Sequence, residues 1–182
     1  MPFIPLEEHL PGITGLLEYR QDSGAPIREL TQVLMRGPST LSEAEREMIA
    51  TIVSSENQCK FCTQAHAAVA NLLIGDCETV ESMLTDLENT QIPEKTKALL
   101  VIAKQVQKGG KHVGTEHIEA AKNAGATDLE IHDTVLIAAL FCLYNRYVDG
   151  MATLLPSESS YFDTLAQKLV TFGYRRVPPT NT

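Results

Sequence analysis

The chain has 182 residues, of which 43% are hydrophobic and 21% are charged, and its formal net charge is −8 at pH 7. This length and composition predict one globular domain with a substantial hydrophobic core, and they argue against a disordered or fibrous chain. The acidic balance and the lack of a Lys/Arg block argue against nucleic acids and anionic membranes as partners.

Helix signals occur along the whole chain, and no stretch shows the sustained alternation of a β-strand, so we predict an all-α fold. Residues 1–38 contain five prolines and are expected to form short helices and turns that wrap the body of the same domain, because proline interrupts longer helices. We expect residues 39–172 to form the helical core, and residues 173–182 to form a frayed tail.

The first clear helix is predicted from Ser42 to about Ser55. Ser42 and Glu45 have the spacing of a capping box, in which each side chain bonds the backbone N–H of the other residue. At 100° per residue the helix has one apolar side and one side of small and polar residues. The second side carries Glu47, Ala50, Thr51 and Ser54.

Six further helices are predicted from capping residues and apolar periodicity. They run from about Gln58 to Ile74, Cys77 to Leu87, Pro93 to Lys108, Thr115 to Asn123, Thr127 to about Leu155, and Tyr161 to Phe172. The fifth of these contains the almost wholly apolar stretch 134–144, which predicts a long, buried central helix.

The compartment is predicted to be the cytoplasm. No apolar run approaches the roughly 20 residues that span a bilayer, and no basic and apolar signal pattern opens the sequence. Four cysteines are too few for a disulfide scaffold, and two of them, Cys77 and Cys142, stand alone and are interpreted as buried or incidental.

The remaining two cysteines form a C-x-x-C pair, Cys59-Lys60-Phe61-Cys62, at the predicted start of a helix. Residues three apart on a helix share a face, so a reversible disulfide between them is sterically easy. The helix N-terminus favours negative charge and so lowers the pKa of a thiol from its usual value of about 8.5. The pattern predicts reactive thiols.

His66 follows Cys62 by four residues and therefore extends the same helical stripe. An imidazole can take a proton from a thiol or return one to a leaving alcohol. Two carboxylates, Glu47 and Glu56, are candidates to orient it.

The residues alone leave other interpretations open. A C-x-x-C pair can also belong to a zinc knuckle, or it can be inert core packing. The polar segment 144–149 interrupts the apolar helix, and within it Arg146 and Asp149 have the spacing of an ion pair, which we interpret as structural.

The spacing of Glu47, Cys59, Cys62 and His66 resembles the signature of AhpD-like alkylhydroperoxidases in the carboxymuconolactone decarboxylase superfamily. The segment 139–150 is similar to the branch known as peroxidase-related enzymes. The resemblance covers roughly residues 25–170.

The resemblance implies an orthogonal bundle of helices that assembles into a homo-oligomer, a trimer, hexamer or dimer. It implies a peroxidatic Cys62, a resolving Cys59, and a proton relay of His66 and Glu47. It implies no cofactor and no metal. Family members carry His directly before the second cysteine, whereas this chain has Phe61, so the relay is expected to be altered or slower.

The leading hypothesis is a hydroperoxide reductase, with a hydroperoxide as substrate and an unidentified dithiol as reductant. The rivals are a dithiol-disulfide oxidoreductase or redox sensor, and a non-catalytic helical assembly protein with structural cysteines. Decarboxylation is disfavoured, because the decarboxylases that name the superfamily lack the cysteine pair.

Overall fold

The structure, a computed structural model, describes residues 1–176, and within them the protein is all-helical. Residues 177–182 of the predicted tail lie outside the described residues. The helices are α1 (Ile13–Tyr19), α2 (Gln21–Arg36), α3 (Glu43–Glu56), α4 (Lys60–Ile74), α5 (Glu78–Thr85), α6 (Glu94–Lys108), α7 (Thr115–Asn123), α8 (Asp128–Gly150) and α9 (Ser159–Phe172). A 3-10 turn, Gly110–His112, joins α6 to α7. None of the helices in this part of the chain is long and apolar enough to cross a bilayer.

The helix boundaries follow local capping chemistry. Capping boxes form at Ser42 with Glu45 and at Thr127 with Glu130, where each side chain satisfies an N–H that the helix itself leaves unpaired. Gly75 ends α4 in the left-handed conformation (φ 87°), which a glycine adopts without strain.

Residues 1–38 were predicted to form only short helices and turns, and the structure differs from this prediction. α2 has 16 residues and contains Pro26 as its sixth residue, so the helix continues past a proline. Pro26 has no N–H and cannot donate the usual hydrogen bond within the helix. The helix tolerates this loss because α2 packs against α1, α3 and α8. The predicted end of α8 at Leu155 was also too late, since the helix ends at Gly150.

The centre of the molecule is α3, whose residues 46–54 are all buried. It packs against α4, α6 and α8, and its small side chains Ala50, Thr51 and Ser54 are wholly inaccessible. Small residues allow neighbouring helices to approach closely. Glu47 therefore lies inside the protein on the same helix.

A second hydrophobic cluster lies beside this core and surrounds the cysteine pair. Cys59, Phe61 and Cys62 pack there with Leu16 of α1, Val148 of α8 and Phe162 of α9. The start of α4 is thereby fixed by three other helices, which positions the thiols.

Candidate functional site

The two thiols lie at the very start of α4. Cys62 lies in the first turn of the helix, and Cys59 occupies the N-cap position directly before it. The sequence had predicted that Cys59 lies inside the helix, so the observed start is later than the predicted one. Gln58, with φ 60°, makes the sharp turn between α3 and α4, and the N–H of Cys59 donates to the carbonyl of Ser54 at 3.0 Å. Both cysteines are free and buried, with 0% and 3% of their surface exposed.

The two thiols affect each other's ionisation. The thiol of Cys62 donates a hydrogen bond to the sulfur of Cys59, and this bond lowers the pKa of Cys59 although burial opposes it. The same bond, together with burial, raises the pKa of Cys62. When the pair loses its first proton, the negative charge rests on Cys59.

The two cysteines differ in what they face. Cys62 lines a cavity of about 490 Å³, together with His66, Phe141 and Tyr144, whereas Cys59 is not among the lining residues. A volume of this size is in the range of small-molecule sites. A molecule in the cavity therefore meets Cys62 first.

His66 and Glu47 are brought together inside the molecule. Nδ1 of His66 is 2.7 Å from Oε2 of Glu47, which has no exposed surface. Burial by itself raises the pKa of Glu47, but the hydrogen bond from His66, the charge of Arg36 and the hydrogen bond from Tyr174 help to outweigh it and hold the pKa low. An ionised carboxylate only accepts, so Nδ1 carries the proton and Nε2 is left as the basic nitrogen.

Two residues that sequence reasoning missed complete this site. Tyr174 donates from its hydroxyl to Oε1 of Glu47 at 2.6 Å and stacks on His66 at 6.2 Å between ring centres. Arg36 forms an ion pair with the same oxygen at 2.7 Å and lies 5.0 Å over the Tyr174 ring. Burial and the Glu47 carboxylate raise the pKa of Tyr174 well above its usual value, so it stays a neutral donor.

The polar segment of α8 faces the thiols through Asn145, which is 1% exposed. Its amide donates to Oγ of Ser54 at 3.0 Å and, as a hydrogen-bond donor, favours the thiolate of Cys62. Asn57 donates to Oδ1 of Asn145 at 2.8 Å and accepts from Gln107 at 3.0 Å. This chain of amides fixes the orientation of Asn145. In the sequence, the only sign of Asn145 was that the polar segment 144–149 interrupts an apolar helix.

The ion pair expected between Arg146 and Asp149 does not form in the described residues. Arg146 donates to the carbonyl of Cys142 at 2.9 Å, whereas Asp149 contacts the sulfur of Cys59 and favours its protonated form. Each side chain has another partner, so the spacing of three residues alone was insufficient to predict the ion pair.

The other candidates lie apart from the site. Glu56 is paired with Lys104 at 2.8 Å and does not reach His66. Cys77 is exposed, and Cys142 is half-buried beside the amide of Asn57. Within residues 1–176, no three His, Cys, Asp or Glu side chains are grouped to hold a metal ion.

Phe61, which replaces the family histidine, is part of an aromatic cluster. Its ring lies 5.8 Å from Phe162 and 6.4 Å from Tyr161, between ring centres. Gly12 lies directly against it with φ 61°, and a Cβ there would be 2.2 Å from the ring. The side chain is a wall of the cavity and carries no proton to the thiols.

Two solved structures of about one-quarter identity share this architecture. One is described as the AhpD core of an uncharacterised peroxidase-related protein from Ralstonia eutropha, with a TM-score of 0.76 and 26% identity over 86% of this chain and 81% of the other. The second, an uncharacterised peroxidase-related protein from Silicibacter, has a TM-score of 0.75 and 26% identity over 82% and 78%.

A third structure, a protein of unknown function from Agrobacterium tumefaciens, has a TM-score of 0.69 and 19% identity over 79% of this chain and 97% of its own, and shows the fold alone. None of the curated proteins matches this chain. The model of the carboxymuconolactone decarboxylase family matches residues 21–71 and 78–154. The chain therefore belongs to the carboxymuconolactone decarboxylase family and has its AhpD-like fold, as the signature around Cys59, Cys62 and His66 predicted.

Proposed function

We propose that this protein reduces hydroperoxides with the Cys59 and Cys62 thiols. The observation that carries the proposal is the close pair of free cysteines, of which Cys62 opens on a cavity large enough for an organic molecule. The peroxidase-related structures of similar fold support the same class of reaction.

The proposed first step is attack of the Cys62 thiolate on the terminal oxygen of the hydroperoxide. An S–O bond forms and the O–O bond breaks, so that the sulfur is oxidised to a sulfenic acid and the peroxide is reduced to an alcohol. The Cys59 sulfur then attacks Cys62, forming the S–S bond while the S–O bond breaks and water leaves. An external dithiol reduces the disulfide and becomes oxidised to a disulfide itself.

We assign the proton transfers of the first step to His66. It lies one helical turn after Cys62 and lines the same cavity, and its Nε2 is the basic nitrogen because Nδ1 is engaged by Glu47. His66 takes the proton of Cys62 and returns it to the alkoxide that leaves. Glu47 stabilises the imidazolium formed in between, and Tyr174 and Arg36 hold that carboxylate in place.

Two properties of the pair make Cys62 the nucleophile in this proposal. Cys59 has the lowered pKa but does not line the cavity, whereas Cys62 lines it and is supported by the amide of Asn145. Transfer of the Cys62 proton to His66 creates the attacking thiolate.

The test is a reaction of the reduced protein with one equivalent of cumene hydroperoxide, in a Cys77→Ser/Cys142→Ser background. We expect the loss of two thiols per chain and a Cys59–Cys62 disulfide in peptide mass analysis. With excess dithiothreitol, peroxide is consumed catalytically. The matched control is the same background with Cys59→Ser/Cys62→Ser added, and consumption at an equal rate by this control would refute the proposal.

A second candidate, dithiol-disulfide exchange, is favoured by the lowered pKa of Cys59, since the first cysteine of C-x-x-C oxidoreductases is the usual nucleophile. Slow thiol loss with cumene hydroperoxide and fast loss with oxidised glutathione would favour it. Thiols that react with neither reagent would favour the third hypothesis, a non-catalytic assembly protein.

The proposal extends to assembly and compartment. We propose a homo-oligomer, a trimer, hexamer or dimer, in the cytoplasm. Light scattering on the purified protein gives the number of 19.9 kDa chains in the particle, and a monomer would contradict the proposed assembly.

A further inference from the structure

The cavity in front of Cys62 has an apolar interior. Six aliphatic and aromatic side chains from α1, α8, α9 and the segment before α1 form its walls: Leu10, Ile13, Leu17, Phe141, Leu165 and Leu169. Its volume of about 490 Å³ holds roughly sixteen groups of the size of a water molecule or a methylene, at about 30 Å³ each. An unbranched chain of about ten carbons is accommodated, with room for a head group.

The rim of the same cavity is basic. Arg28, Lys168, Arg175 and Arg176 all line it, and the last three are exposed. This concentration contrasts with the rest of the chain, which carries a formal net charge of −8. A basic rim on an acidic protein attracts anions to this opening in particular.

The ion pairs of the rim leave positive charge uncompensated. Glu18 is paired with Arg28 at 2.8 Å and with Arg176 at 3.0 Å, and Glu29 is paired with Arg175 at 2.9 Å. Lys168 makes no ion pair within residues 1–176. Three arginines thus share two carboxylates, and the fourth cation, Lys168, has no carboxylate partner in the described part of the chain.

We propose that the preferred substrate is a medium-chain aliphatic hydroperoxide with an anionic head group, a carboxylate or a phosphate, held at the basic rim. The aliphatic chain fills the apolar interior, and the peroxide group reaches Cys62. This inference rests on the proposed peroxidase function for its reaction, but the binding of an anionic amphiphile is independent of it.

The binding arm of the test uses inert probes and the reduced protein. Calorimetric titration with decanoate, decyl phosphate and methyl decanoate compares two anions with a neutral molecule of similar length. We expect an anion to bind about tenfold more tightly than the ester at low salt, because two exposed ion pairs contribute up to about fivefold each, and we expect added salt to reduce the difference. Equal affinity of all three probes would overturn the inference.

The kinetic arm compares a ten-carbon hydroperoxide carrying a free carboxylate with its methyl ester. The ratio of their rates of thiol oxidation is expected to fall towards one in Lys168→Glu and to stay unchanged in Lys111→Glu, an exposed lysine outside the cavity. A truncated chain that ends at Arg176 should give the same rate ratio as the full chain, which would show that residues 177–182 do not determine it. An unchanged ratio in Lys168→Glu would contradict the inference.

The two proposals fail in different ways. If cumene hydroperoxide oxidises the thiols but the acid and the ester react at equal rates, the peroxidase stands and the substrate class is wrong. If no hydroperoxide reacts while decanoate binds more tightly than its ester, the site is a binding site for anionic amphiphiles and the proposed reaction is wrong.

Discussion

Removal of the Tyr174 hydroxyl isolates one bond of the buried site. Tyr174→Phe keeps the ring that stacks on His66 and supports the Arg36 guanidinium, and it deletes the donor that lies 2.6 Å from Oε1 of Glu47. Glu47 keeps its contacts to His66 and Arg36. The substitution therefore tests whether Tyr174 helps to hold Glu47 in the proposed proton relay.

The expected cost is that of a hydrogen bond to a charged group, about 1.5–3 kcal/mol of unfolding free energy. For a chain of this size each kcal/mol lowers Tm by about 2–4 °C, so the variant should melt roughly 3–12 °C earlier. Urea unfolding of the reduced protein, followed by circular dichroism, measures the loss directly.

The matched control is Tyr19→Phe, because Tyr19 is 57% exposed and makes no side-chain hydrogen bond within the described residues. Its effect should stay within about 0.5 kcal/mol of zero. If Tyr174→Phe is no less stable than this control, the hydrogen bond to Glu47 contributes nothing, and the account of the relay's support is wrong.

Other expected outcomes concern the same network and the cavity wall. Glu47→Gln should cost about 3–5 kcal/mol in urea unfolding, because it removes the nearer of the two carboxylates that pair with the buried Arg36 and leaves only Glu43, at 3.3 Å. The folded state holds the pKa of Glu47 below its ordinary value of 4.5, so its stabilisation is present above pH 4.5 and is lost as the pH falls through the lower folded value. Urea midpoints between pH 7 and pH 3 should show a smaller loss in Glu47→Gln than in the native chain, because the variant lacks only the contribution of Glu47, and that of other carboxylates, such as Glu130 with its pKa lowered to about 2, remains. Asn145→Ala removes a donor to the Cys62 thiolate and should slow alkylation of that thiol about fivefold, measured with iodoacetamide in the Cys59→Ser background. Gly12→Ala should destabilise the fold by about 1–3 kcal/mol, since its Cβ would lie 2.2 Å from the Phe61 ring, and a melting curve unchanged from the native one would contradict that packing.

The parts of the structure that the sequence predicted are those with local signals. The capping boxes at Ser42 and Thr127 placed the starts of α3 and α8, since each depends on residues three apart. Cys62 and His66 lie one turn apart on α4 and line the same cavity, so their common face followed from helical geometry alone, whereas Cys59 lies just before the helix and does not line the cavity.

The parts that it did not predict depend on contacts between distant segments. Arg36 and Tyr174 reach Glu47 from the end of α2 and from beyond α9, 11 and 127 residues away along the chain. No periodicity links such positions. Asn145 was visible only as a polar residue in an apolar helix, and its role depends on Asn57, 88 residues earlier.

The central claim is that Cys62, the sulfur at the cavity, is the one that peroxide oxidises. Its most direct test is the trapping of sulfenic acid with dimedone after one equivalent of hydroperoxide, followed by peptide mass analysis of Cys59→Ser and Cys62→Ser. The account predicts a dimedone adduct at Cys62 in the first variant and none at Cys59 in the second. An adduct at Cys59 in the second variant, with Cys62 unmodified in the first, would contradict it.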